Sequence, residues 1–115
     1  MIKTEFGIIE QIDPAKDYSS YEPETYHCIS IADDIYIDDW WDQLCLMKTY
    51  FNDLKRPATA LARYGVTLIP PESLPQFQDI VLRDKRLNHD DNLVLLADKI
   101  QEAIDGHKFM IHYGV

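Results

Sequence analysis

Alternation of apolar and polar residues predicts β-strands at both ends of the chain and in its middle. Four segments follow this pattern: 3–12, 26–31, 64–69 and 109–113. In the first segment, Phe6 and Ile8 would lie on one face of a sheet and Ile9 on the other. The turn-rich stretch 13–23 separates the first two strands, and we expect them to pair antiparallel across this exposed loop.

Apolar residues at spacings of three and four predict a long helix after the second strand. The stripe consists of Trp40, Leu44, Met47, Phe51 and Leu54. Asp38 or Asp39 would cap the first turn, because a carboxylate accepts the unpaired backbone N–H groups there. Pro57 would end the helix, because proline lacks the N–H that the next turn needs.

Two shorter helices are predicted in the second half of the chain. Ser73 and Gln76 have the spacing of a capping box before an apolar stretch that reaches Val81. Asp90 or Asp91 would begin the last helix, whose apolar face repeats at helical spacing up to Ile104. Gly106 would end it, as glycines commonly do.

These elements occur in the order β-β-α-β-α-α-β and predict one α+β domain spanning residues 1–115. The economical arrangement is a two-layer sandwich, with about four mostly antiparallel strands in one sheet and about three helices on one face. A chain of 115 residues is long enough to bury a core without disulfides or metals.

The distribution of charge changes the functional picture. The net charge is −9, and residues 1–42 carry all of it, with eleven acidic residues opposed by two lysines. The remainder of the chain has nine acidic and nine basic residues. Such a field repels phosphate backbones and anionic membranes but attracts basic proteins. We therefore expect no nucleic-acid or membrane partner, although solubility alone would also account for an acidic surface.

The sequence has none of the motifs that organise common active sites. Its four glycines are far apart, so no phosphate-binding loop is formed. The acidic run 33–42 lacks the glycine and glutamate that an EF-hand calcium loop requires, and the histidines are not spaced as metal-ligand pairs. We expect no cofactor, no metal site and no catalytic residues. The mixed-charge run 83–86 is interpreted as a solvated loop.

The two cysteines and the hydropathy profile bear on the compartment. Cys28 and Cys45 each lie in an apolar run and are expected to be free, buried thiols, which suits a reducing environment. A disulfide between Cys28 and Cys45 is the alternative to two free thiols. No apolar run approaches the roughly 18 residues of a membrane helix. These features favour a cytoplasmic protein.

The most unusual segment is 33–42, DDIYIDDWWD, in which acidic residues surround large aromatic residues. Carboxylates can pair with lysine and arginine of a partner, and aromatic side chains add buried area. The candidate partner-binding residues are Asp33, Asp34, Tyr36, Asp38, Asp39, Trp41 and Asp42. Trp40 begins the predicted apolar stripe and is assigned to the core. Asp33, Asp34 and Tyr36 would lie between strand and helix, without a structural role, and are the strongest candidates.

In size, acidity and the clustering of Asp with Tyr and Trp in DDIYIDDWWD, the chain resembles bacterial immunity proteins. These are small antitoxins that neutralise a cognate nuclease or other toxin by covering its basic active site. The resemblance implies a cytoplasmic, non-enzymatic inhibitor whose partner is a basic, toxin-like protein.

Two other classes of function are compatible with the sequence. The first is a regulatory or adaptor subunit, such as a homodimer, whose acidic segment only keeps it soluble. The second is a small enzyme or ligand-binding domain whose site is assembled from scattered residues. Salt-insensitive self-association would favour the first, and a deep polar pocket would favour the second.

Overall fold

The computed structural model describes residues 3–114, apart from the side chain of Asp34. The strands are β1 Lys3–Ile9, β2 Ile29–Ala32, β3 Lys48–Phe51, β4 Pro57–Thr59, β5 Val66–Ile69 and β6 Phe109–Tyr113. The helices are α1 Asp33–Leu44, α2 Leu74–Leu82 and α3 Asp91–Gly106. Short 3₁₀ turns at Pro71–Ser73 and Leu87–His89 precede α2 and α3.

The six strands form one sheet in the order β2-β1-β6-β5-β3-β4, and every neighbouring pair is antiparallel. β1 and β6 lie side by side near the centre, with Phe6 opposite His112. β2 and β4 are the two edges. The α+β class, the three helices and the antiparallel pairing of the first two strands are confirmed. The prediction of about four strands and the predicted order β-β-α-β-α-α-β are wrong, since β3 and β4 were not foreseen and three strands lie between α1 and α2.

All three helices contribute to the core on one face of the sheet, here called the helix face. Its buried strand residues alternate with those of the opposite face, as the pleat of a strand requires. Its largest buried members include Phe6, Ile31, Ile37, Leu44, Ile69, Phe77, Leu93, Leu96 and Met110. The expectation that Phe6 and Ile8 share a face is confirmed.

The opposite face, here called the loop face, is covered by the irregular segment 10–28 instead of helices. Its buried core comprises Ile9, Tyr18, Tyr26, Val66, Leu68, Ile111 and Tyr113. The loop comes very close to β1 at Gly7. A Cβ added to this glycine would lie only 2.7 Å from the Tyr26 carbonyl oxygen. The backbone N–H of Tyr18 also donates to the Asn52 carbonyl at 2.8 Å. Segment 13–23 is mostly exposed as predicted, but Tyr18 is buried.

The predicted central helix is wrong in both its limits. α1 begins at Asp33, directly after β2, and ends at Leu44. Asp38 and Asp39 therefore lie inside the helix and do not cap it. The later apolar residues continue the helical spacing, but the sequence KTYF at 48–51 is rich in residues that favour strands. Strand pairing with β4 and β5 prevails there, and Phe51 is only half-buried.

The ends of the other helices agree in part with prediction. Asp90 caps α3, because its side chain accepts the N–H of Asn92 at 2.9 Å. The left-handed residue after α3 is His107 (φ 52°) and not the predicted Gly106. Ser73 makes no capping hydrogen bond. Its hydroxyl instead donates to the Lys48 carbonyl at 2.7 Å, which connects α2 to β3.

A hydrogen-bonded chain of polar side chains is buried on the helix face. The Thr4 hydroxyl donates to the Tyr113 carbonyl at 3.0 Å, so its oxygen accepts from Nε2–H of His112. The other ring nitrogen, Nδ1, then accepts from the Thr67 hydroxyl at 3.3 Å. Thr67 in turn accepts the Ala62 N–H at 2.8 Å. Burial, together with the nearby positive charge of Arg63, lowers the pKa of His112 to about 3.

Candidate protein-binding surface

One side of α1 is exposed and carries the acidic residues of the predicted site. Its exposed positions fall at spacings of three and four, so they form one row along the helix. We call this row, together with one residue of the following turn, the α1 face: Ile35, Asp38, Asp39, Asp42 and Leu46. Ile35 is 41% exposed and Leu46 is 78% exposed. Three carboxylates thus lie between two accessible aliphatic side chains.

The opposite side of α1 is anchored in the core by two stacked aromatic rings. Tyr36 and Trp40 are buried, and their ring centroids are 5.5 Å apart. The Tyr36 hydroxyl donates to the Asp90 carboxylate at 2.5 Å, while the Trp40 indole N–H donates to Asp84 at 2.8 Å. The assignment of Trp40 to the core is confirmed. The interpretation of Tyr36 as a residue without a structural role is wrong.

Arg63, in the connection between β4 and β5, binds α1 at three places. Its guanidinium lies 2.7 Å from the Asp38 carboxylate and 3.2 Å from that of Asp33. It also lies over the Trp41 ring, 5.4 Å from the centroid. The hydrogen bond that Arg63 donates to Asp38 raises the pKa of Arg63. Asp33 is therefore a buried structural carboxylate in the first turn of α1, contrary to the sequence interpretation.

Arg86 provides a second clamp at the other side of the helix. Its guanidinium contacts Asp84 at 2.7 Å and Asp39 at 3.0 Å, and it lies 4.5 Å from the centroid of the Tyr36 ring. The hydrogen bonds from Arg86 and Trp40 lower the pKa of Asp84 to about 2, with those from Arg86 the larger cause. Asp84 and Arg86 of segment 83–86 thus anchor α1, whereas Arg83 and Lys85 are exposed, as expected for a solvated loop.

The seven predicted partner-binding residues consequently divide into groups. Asp33 and Tyr36 are buried. Asp34 lies in α1, but its side chain is outside the described residues. Four residues remain accessible: Asp38, Asp39, Trp41 and Asp42. Among the described residues Asp42 makes no ion pair, whereas Asp38 pairs with Arg63 and Asp39 pairs with Arg86.

Ile35 and Leu46 are the surface residues that sequence reasoning missed. Ile35 precedes the central helix as predicted from sequence, and Leu46 lies off the predicted apolar stripe of that helix. Correct limits for α1 would have revealed Ile35, because the exposed side of a helix follows from the helical period. Leu46 lies in the turn after α1, where that period no longer applies. The clamping roles of Arg63 and Arg86 have no signal in the local sequence, since both residues are distant from α1 along the chain.

A groove of about 420 Å³ borders the α1 face between α1 and the end of α2. Its lining residues include Asp39, Trp40, Gln43, Arg83 and Lys85. Charges of both signs line it, so it does not select an anion or a cation by charge alone. Within residues 3–114, no group of His, Cys, Asp or Glu side chains is arranged to hold a metal ion.

The acidic residues of the N-terminal loop do not extend the α1 face. The segment 10–28 packs against the loop face, whereas α1 packs against the helix face. The acidic third of the sequence is therefore divided between opposite sides of the sheet. The thiols are both free, but Cys45 is exposed and Cys28 half-buried, so the prediction that both are buried is wrong.

Residues 3–114 form a compact α+β domain with a six-stranded antiparallel sheet and three helices. Comparison with protein-family models, with curated proteins and with solved structures found no match for the chain. Along residues 3–114, none of the helices has the length and apolar character needed to cross a bilayer.

Proposed function

We propose that the protein is a non-catalytic binding module whose α1 face binds a basic protein, with an immunity or inhibitor role as the leading form. The observation that supports this proposal is the arrangement of Asp38, Asp39 and Asp42 in one row between the exposed Ile35 and Leu46. A basic surface with apolar contacts at its margins would complement this row in both charge and hydropathy.

The internal arginines define what such a partner must do. Arg63 and Arg86 hold Asp38 and Asp39 in place and partly neutralise them. A partner's lysine or arginine would share these carboxylates or displace the internal guanidinium groups. The exchange of one ion pair for another changes the free energy little at an exposed site. Long-range charge therefore contributes mainly to the association rate, and apolar burial contributes mainly to the lifetime of the complex.

Trp41 fits the same proposal. It is half-buried, and its ring already lies beneath the Arg63 guanidinium. A rigid aromatic side chain at the margin of an interface adds contact area at a low cost in conformational entropy. Together with Trp41, the α1 face thus combines carboxylates, aliphatic side chains and one half-buried aromatic residue on α1 and the turn after it.

A charge-matched pair of variants tests the proposal. In the first variant, Asp38, Asp39 and Asp42 become Asn. In the second, Asp13, Asp17 and Glu10 of the exposed loop become Asn, Asn and Gln, which changes the net charge by the same amount on the opposite side. Tagged proteins are used to capture basic proteins from cell lysate at low salt, and association rates are measured with the purified captured protein.

We expect the α1 variant to associate at least about tenfold more slowly at low salt, while the loop variant changes less, because steering depends on charges near the contact. The difference should shrink as the salt concentration rises, since the Debye length falls. Equal rates for the two variants would contradict a role for the α1 face. Thermal melts of both variants establish that each is folded.

A further inference from the structure

The two edges of the sheet are protected to different degrees. β4 is only three residues long and begins with Pro57, which has no N–H to offer. The basic residues Lys55 and Arg56 precede it. Short length, proline and positive charge are the usual means by which proteins prevent an edge strand from pairing. The β4 edge is therefore closed to a further strand.

β2, at the other edge, is four residues long and lacks the proline and the positive charge that protect β4. Its sequence Ile-Ser-Ile-Ala contains no proline and no charged residue. It pairs only with β1 among the described strands. Ile31 is buried, while Ser30 and Ala32 are half-buried. An uncharged, aliphatic edge strand presents unpaired backbone groups that another extended chain can satisfy.

The surface beside β2 continues this edge onto α3. A groove of about 280 Å³ is lined by Ile29 of β2 and by Leu95, Asp98, Lys99 and Glu102 of α3. Leu95 is 50% exposed, although an aliphatic side chain on a helix of a small domain is normally turned inward. The edge thus combines a free strand with an adjacent apolar residue and charges of both signs.

We propose that β2 pairs antiparallel with β2 of a second copy of this chain, around a two-fold axis, to give one continuous sheet. In such an isologous interface each patch faces its own copy, so Lys99 of one copy can lie near Asp98 or Glu102 of the other. No like charges meet along the strand itself, because β2 has none. The net charge of −9 is carried largely elsewhere.

The chemistry of this edge favours a second copy over a basic partner. A purely basic segment would bring its cations against Lys99 of the groove, whereas a second copy offers both an ammonium group and the carboxylates of Asp98 and Glu102. The protected β4 edge also limits growth. With one open edge per chain, pairing stops at a dimer and does not continue into a fibre. This dimer is independent of whether the α1 face binds a basic protein.

Sedimentation equilibrium of the full chain tests the proposal over protein concentrations from about 1 µM to about 1 mM. We expect the mass to rise from 13.4 kDa to twice that value, and raised salt to leave the association intact. Hydrogen exchange at the two extremes should show added protection of the β2 amides at high concentration only. A monomer throughout, or a species that grows beyond the dimer, would overturn the proposal.

Two leucines provide a matched pair of variants. Leu95→Glu places a third carboxylate beside Asp98 and Glu102 at the proposed interface, whereas Leu82→Glu changes an equally exposed leucine of α2. We expect Leu95→Glu to raise the dimer dissociation constant more than about tenfold, because like charges would then meet across the two-fold axis. Leu82→Glu should leave it unchanged. Equal weakening by both variants, or β2 protection that appears only with a basic protein added, would refute pairing between copies.

Discussion

The two faces of the sheet are closed in different ways. On the helix face, regular helices place aliphatic and aromatic side chains over the strands. On the loop face, an irregular segment does the same with tyrosines such as Tyr18 and Tyr26, and the Tyr18 hydroxyl accepts the Asp13 N–H. The comparison shows that a long irregular loop can complete a core when its large amphipathic residues cover the sheet in place of the periodic apolar face of a helix. It also suggests that the helix face carries most of the stability.

The largest expected effect is on the helix face. Phe77 is fully buried and packs against Phe6 with ring centroids 5.3 Å apart. We expect Phe77→Ala to lower the free energy of unfolding by about 3–5 kcal/mol, because it removes buried surface and leaves a cavity. Urea denaturation followed by tryptophan fluorescence measures the change.

Phe51→Ala is the matched control for this substitution. Phe51 is the same residue type but is half-buried in β3, and it belongs to neither buried cluster. Its loss should cost about 1–2 kcal/mol, since less apolar area is removed from the folded state. If the Phe51 variant were the less stable of the two, the central helix predicted from sequence would describe the chain better than β3 does.

A decrease in pH should have an intermediate effect on stability, through a buried residue of the helix face. His112 is neutral in the folded protein because burial lowers its pKa to about 3, whereas an unfolded histidine titrates near 6.5. The unfolded chain therefore binds one more proton in the intervening range. Stability should be full above about pH 6.5 and should fall by up to about 1.4 kcal/mol per pH unit as the pH decreases below it.

Unfolding free energies measured between pH 7.5 and about 4.5 would detect this loss before most carboxylates titrate. The variant His112→Gln keeps a polar side chain but cannot gain a proton, so its profile should be flatter in this window even if its stability is lower throughout. A profile as steep as that of the unmodified chain would show that another group is responsible.

The smallest effect is expected on the loop face. The Tyr18 hydroxyl accepts the Asp13 N–H at 2.8 Å, and its ring remains buried. Tyr18→Phe should therefore cost only about 1 kcal/mol, because the apolar contacts persist and one hydrogen bond is lost. Tyr64→Phe, at a residue that is 84% exposed, is the control and should cost nothing measurable. A loss equal to that of Phe77→Ala would contradict the ranking of the two faces.

Local pattern predicted those elements whose burial follows from neighbouring residues. The first and last strands and the capped start of α3 at Asp90 are of this kind. The central region could not be predicted, because Met47 and Phe51 continue a helical spacing while the chain actually turns into β3. Only the pairing of β3 with β4 and β5 decides between the two structures, and that pairing involves residues distant in sequence.

The candidate site was predictable in composition but not in geometry. The sequence indicated that acidic and aromatic residues of segment 33–42 act together, and the structure places that whole segment on α1. It could not reveal that Arg63 and Arg86 would bind some of those acids internally. Such ion pairs depend on the tertiary position of two loops, which local periodicity does not encode.

The central position of β6 has a consequence for biosynthesis. This strand lies between β1 and β5, although more than 30 residues of helix and turn separate it from β5 along the chain. During synthesis, β1 would emerge from the ribosome long before its neighbour β6 had been translated. Until β6 has been translated, the strands on its two sides cannot be joined into one sheet. Contacts between residues so far apart in sequence slow folding. The sheet is therefore completed only after β6 has left the exit tunnel.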